Sequence, residues 1–179
     1  MKEQPASRGR LVEPTSSRRR GRLLRAIPSW REAFLGGPAW GLTMASSAWY
    51  ALWLREHDAT FHLESILLLY ASGGLIAWPL SLFAGRYMAQ DRAVETRFAA
   101  YLLCLIAGTV GVTALLFALD YRLFYSQWHA PTGSRIWFYQ ALFTSLSAYY
   151  QFLVLGVRLY LPLGAVALLL ASLWLARPQ

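Results

Sequence analysis

The sequence predicts an all-α polytopic membrane bundle of about five transmembrane helices behind a disordered basic arm, and three observations lead to that class. Of 179 residues, 56% are hydrophobic and only 15% charged, where a water-soluble domain spreads roughly a quarter of charged residues over its surface. The apolar residues run in stretches of about twenty, the length that a ~30 Å hydrocarbon layer asks of a helix. The net charge of +8 is gathered mainly at the N-terminal end.

Residues 1–32 form the predicted arm. It holds nine basic residues against Glu3, Glu13 and Glu32, with Pro5, Pro14 and Pro28 and a serine patch. Such a segment buries too little apolar area to offset the entropy of ordering, so disorder is expected to about Arg22. The following "GRLLRAIPSW" suits the membrane surface, with Trp30 at headgroup level. Arg18, Arg19, Arg20, Arg22 and Arg25 read as a tether to anionic inner-leaflet lipids, which need only charge. Nucleic acid is not expected as a partner, because the arm offers neither a folded basic face nor interleaved aromatics. "SSRRRGRLL" before an apolar stretch also fits part of a twin-arginine export signal. The apolar stretch, however, has full span length and ends in Trp49, Tyr50 and Trp53 instead of a small-residue cleavage site.

The membrane domain, 33–179, divides into spans at about 34–54, 63–85, 98–119, 136–156 and 160–176. The first three stand as single apolar runs. The last two share one run interrupted by Gly156, Arg158 and Pro162, which read as a helix stop, a charge and a helix start, and so as a tight hairpin. The final segment is short for a bilayer, and the alternative is four spans plus a re-entrant or interfacial helix. With the arm in the cytoplasm, thirteen basic residues fall inside, Arg158 among them. Arg55, Arg122, Arg135 and Arg177 fall outside, a positive-inside pattern. Trp49, Trp53, Trp128, Trp137 and Trp174 then cap the outer ends, and the tail emerges outside. Sixteen arginines against one lysine point to a bacterial source, and hence to an inner membrane.

Within the spans, small residues mark packing faces: Gly37, Gly41 and Ala45 in the first, Gly73 and Ala77 in the second, Ala107 and Gly111 in the third. Spaced by four, they let helix backbones approach closely, within the chain or against a partner. Pro79 is expected to kink the second span and to open a cavity or hinge beside it. In the fourth span Gln140, Thr144, Ser147 and Gln151, with Arg158 beyond, lie within about 60° of one another at 100° per residue. A polar stripe of this kind avoids lipid; it either bonds to neighbouring helices or lines a ligand path.

No glycine-rich phosphate loop, H-E-x-x-H, C-x-x-C-H or serine elbow occurs in the sequence. The lone Cys104 excludes an internal disulfide or a cysteine metal cluster. Among weak metal candidates, His57, His62 and His129 share the outer side with Asp58, Glu64 and Asp120, but the spacing of five between His57 and His62 is not that of one helix face. "REHDATFHLE" reads first as an outer connection in which Asp58, Thr60 and Glu64 start the next helix. No cofactor is expected. The sequence therefore predicts a non-enzymatic accessory, assembly or scaffold subunit of a larger membrane complex, with a membrane protein partner or a second copy. Transport or small-ligand binding along the polar stripe is the alternative, and a metal or redox enzyme using the histidines the third.

Overall fold

The structure, a computed structural model, describes residues 15–55 and 62–177. Among these the chain is helical without strands: α1 Thr15–Ala26, α2 Trp30–Trp53, α3 Leu63–Ala89, α4 Val94–Tyr125, α5 Arg135–Gln151 and α6 Leu163–Ala176. A 3₁₀ turn, Ser126–Trp128, follows α4. A π turn, Phe152–Gly156, and a 3₁₀ turn, Val157–Tyr160, extend α5.

Disorder to Arg22 is not confirmed: in the described part of the arm, Thr15–Ala26 is helical. The cause is a tertiary clasp. Gln90 Nε2 donates to the Arg22 carbonyl at 2.8 Å, and Arg22 Nε returns a bond to Gln90 Oε1 at 3.3 Å. The Arg22 guanidinium also sits 5.5 Å from the centre of the Tyr87 ring, and Ala26 is fully buried. Residues 1–14 lie outside the described residues. Pro28 then ends the helix by disfavouring helical backbone before it. Ser29 restarts it with a capping box: its Oγ accepts from Glu32 N at 3.3 Å, and the Glu32 carboxylate accepts from Ser29 N at 2.7 Å.

α3 is the central helix, seated between α2 and α4. The seams are built on missing side chains. A Cβ on Gly41 would lie 2.5 Å from the Ala71 carbonyl, one on Gly37 3.2 Å from the Leu75 carbonyl, and one on Gly74 2.9 Å from Gly41 Cα. On the other face a Cβ on Gly73 would overlap the Thr113 hydroxyl, and one on Gly108 the Ser81 hydroxyl. Backbones approach here as small-residue membrane interfaces do. Met44, Tyr70, Leu82 and Leu105 fill the core around them. α3 runs unbroken through Pro79. Beside it an apolar cavity of about 440 Å³ opens between α2 and α3, lined by Phe34, Pro38, Leu75 and Leu80 as well as the proline itself.

α3 and α4, the latter with its 3₁₀ extension, are each long and apolar enough to cross a membrane, and α5 with α6 makes a third if the bent pair is one span. The five-span count is thus not reached. α2, with 24 residues, has the length, but three glycines, Pro38, Thr43, Ser46 and Ser47 dilute its apolar character.

The hairpin expected at 156–162 is also corrected: the two arms meet at a bend of 74°. Pro162, joined to Leu161 by a cis peptide, has no N–H to continue the ladder. Side chains from other helices meet the freed backbone groups instead. Ser47 Oγ donates to the Leu159 carbonyl at 3.1 Å and accepts from Gly164 N at 2.9 Å, while Tyr70 Oη donates to the Gly156 carbonyl at 2.5 Å. From this bend α6, about 21 Å long at 1.5 Å per residue, descends to the start of α4, where Arg97 Nη2 donates to the Arg177 carbonyl at 3.0 Å. The C-terminal end therefore shares a pole with α1, not the opposite pole on which an antiparallel fifth span would place it. Arg158, whose carbonyl accepts from Arg55 at 3.4 Å, lies towards the far pole.

Candidate functional site

The pole shared by α1, the end of α3 and the start of α4 gathers four arginines and Asp91. α3 and α4 are joined by a tight turn in which Asp91 adopts φ 58°, a left-handed conformation that a short polar side chain tolerates. That turn sets Arg86, Arg92 and Arg97 around one opening, and the clasp of Arg22 on Gln90 brings Arg25 of α1 over it. The result is a cavity of about 340 Å³ lined by these four arginines, Gln90, Asp91 and Tyr101. Tyr101 forms a wall because Gly85 leaves it room: a Cβ on Gly85 would lie 2.6 Å from the ring.

The four guanidiniums are not equivalent. Arg86 is ion-paired with Glu32, and that partnership, with the Ser29 bonds, pulls the Glu32 carboxyl down to about 2 against a partial opposing effect of burial. Arg97 spends a donor on the Arg177 carbonyl. Arg25 and Arg92 are exposed and hold no hydrogen bond or ion pair among the described residues. Of the arginines read as a tether, Arg18, Arg19 and Arg20 lie on α1, with Arg20 exposed, Arg22 engaged with α3 and Arg25 at the cavity.

Gln140, Thr144, Ser147 and Gln151 all lie on α5, and their partners differ. Gln140 Oε1 accepts from Ala130 N at 2.8 Å and Thr144 Oγ1 lies 3.3 Å from His129 Nε2, both in the connection after α4. Gln151 Nε2 donates to Tyr121 Oη at 3.4 Å. Ser147 is exposed. The π turn interrupts the helical register on which Arg158 was aligned with the rest, and Arg158 Nε bonds to its own helix at the Val154 carbonyl, 3.1 Å away.

The small-residue faces divide. Gly37, Gly41, Gly73 and the fully buried Ala77 are used inside the bundle, with Ala45 half-buried beside them. Ala107 and Gly111 instead face outward, with nothing within 4 Å of a Cβ built on Gly111. Gly74 and Gly108 carry seams that the spacing rule overlooked, although the glycine pair at 73 and 74 was visible. His62 is exposed at the start of α3, and His57 lies outside the described residues. Among the described residues no three His, Cys, Asp or Glu side chains gather as metal ligands would. In the sequence the pocket arginines at 86, 92 and 97 signal only topology; their crowding around one short turn is the clue to a pocket. No family model, curated protein or solved structure matches the chain.

Proposed function

We propose that the protein is a non-enzymatic integral membrane subunit that packs against a larger complex, as an accessory, assembly or scaffold component, in a bacterial inner membrane with its basic arm in the cytoplasm. The observation that carries this reading is a strip on α4. Ala107, Gly111, Ala114 and Ala118 fall within about 60° of one another at 100° per residue. Ala114 and Ala118 are buried, whereas Ala107 and Gly111 are open. A small-residue notch left open inside a membrane is suited to receive another helix, because helix association in lipid depends on close backbone approach. Neighbouring α5 adds apolar area, with Phe143, Leu146 and Tyr150 all more than half exposed. The partner is another membrane protein or a second copy.

The orientation rests on charge. Exchanging the sides of Arg158 and Arg177 leaves the balance at thirteen basic residues on the arm's side and four opposite, as a cytoplasmic arm requires. The local bonding of Gln140, Thr144 and Gln151 supports packing over a transport lining.

A crosslinker with one thiol-reactive and one photoreactive end, attached in native membranes at Gly111→Cys in a Cys104→Ser background, should trap one discrete heavier species on irradiation. Gly111→Leu should abolish copurification of that species without lowering the protein's own melting temperature. A chain that stays monomeric in mild detergent and traps nothing from Gly111 overturns the reading.

A further inference from the structure

We propose that the pocket between α1, α3 and α4 seats a phosphate-bearing anion, either the headgroup of an anionic membrane lipid or free phosphate. Its lining sets four guanidiniums against the single carboxylate of Asp91. Glu32 neutralises only Arg86, so the opening keeps a surplus of positive charge. Arg25 and Arg92 are the groups with donors to give. A guanidinium presents a planar fork that matches two phosphate oxygens, and such charge-assisted pairs are about twice as strong as neutral hydrogen bonds. The volume of about 340 Å³ lies within the roughly 300–1,000 Å³ of small-ligand pockets.

The surroundings favour a headgroup as the source. The cavity lies where the two membrane-length helices end, at Ala89 and Val94. Beside it Leu23 and Leu24 of α1, Ile27 just past its end, and then Trp30, are exposed. Leu23, Leu24 and Ile27 follow helical one-face spacing, while Arg22 and Arg25 turn towards α3 and the pocket. That is the layout of a helix lying in the bilayer interface, where basic side chains meet lipid phosphates. The lipid source rests on the membrane reading above; the phosphate chemistry of the pocket does not.

The test uses the full chain, purified alone in a neutral detergent, and follows its thermal unfolding. Short-chain phosphatidic acid should raise the melting temperature, since a ligand that binds only the folded state stabilises it, and phosphatidylcholine of the same chain length should not. Arg25→Gln with Arg92→Gln should weaken the apparent affinity for phosphatidic acid by about tenfold or more, the scale of one lost charge-assisted contact. Arg122→Gln with Arg135→Gln, an equal loss of charge at the other pole, should leave it unchanged. An equal response to inorganic phosphate assigns the pocket to the free anion, and a response to the lipid alone assigns it to the headgroup. The proposal is overturned if neither phosphate probe acts, if phosphatidylcholine acts as well, or if the two double variants behave alike. A failure to find a protein partner in native membranes has no bearing on these outcomes.

Discussion

The seams of α3 and the break before α6 both bring backbone close to backbone, but they are held in opposite ways. At the seams the approach is made possible by what is missing: Gly41, Gly73, Gly74 and Gly108 have no side chain where the neighbouring helix passes. At the break it depends on what is supplied, since the hydroxyls of Ser47 and Tyr70 take the place of an interrupted helical ladder. The first arrangement tolerates no added volume. The second tolerates no lost polar group.

The largest effect should come from adding volume at a seam. In Gly73→Val the new branches meet Thr113 on α4, whose hydroxyl already donates to Thr109 and accepts from Tyr160, so α3 and α4 must separate. Overpacking of this kind costs about 1–3 kcal/mol. Gly111→Val, made in the same helix pair but on the open strip, should cost close to nothing. Thermal unfolding of the two variants in one detergent gives the comparison, and equal losses would show that the seam is not what Gly73 provides.

The same contrast explains what was legible in the sequence. Packing glycines at 37, 41 and 73 could be read because a spacing of four is a local property of one helix. The burial of Ala114 and the exposure of Ala107 could not, since they depend on which neighbour covers each stretch of α4. The break is less legible still. Gly156, Arg158 and Pro162 are signals for ending and starting helices, and they do so here, but the change of direction is set by partners distant in sequence. Ser47 lies 112 residues from Leu159 and Tyr70 lies 86 from Gly156. No periodicity within the last run could reveal that α2 and α3 would satisfy its backbone. The basic pocket fell between these cases: its arginines were evident, while the fold of α1 onto Gln90 that turns them into a cavity was not.

An intermediate effect should follow from removing a hydroxyl at the break. Ser47→Ala leaves both the Leu159 carbonyl and the Gly164 amide without their partner, at a cost of about 1–2 kcal/mol for buried groups left unpaired. Tyr160→Phe removes the bond from Oη to Thr113 at 2.8 Å and should cost less, about 0.6 kcal/mol, the average for an interhelical bond in a membrane protein. The ranking sharpens the comparison. If Ser47→Ala costs no more than Tyr160→Phe, the break does not depend on Ser47, and α6 is held by its packing on α4 and α2 alone.

The smallest effect belongs to a third kind of fastening, the charge pair that ties the start of α2 to the end of α3. Glu32 caps its own helix through Ser29 and pairs with Arg86, and its carboxyl is held at about 2, below its ordinary 4.5. A folded-state value below the unfolded one means that the unfolded chain takes up the proton first as the pH falls. The contribution of Glu32 is therefore complete above 4.5 and is lost progressively as the pH drops from there towards 2. Side-chain exposures of 20% for Arg86 and 40% for Glu32 leave the pair open to solvent and salt, which keeps its contribution small. Melting temperatures of the native chain and of Glu32→Gln should thus differ modestly near neutrality and converge through that acid window, with added salt narrowing the gap at the upper end. The variants at Gly73 and Ser47 involve no titrating group, so their losses should stay constant over the same range. A Glu32→Gln gap that is equally flat with pH would mean that the carboxylate's charge contributes nothing and that only its cap on α2 matters.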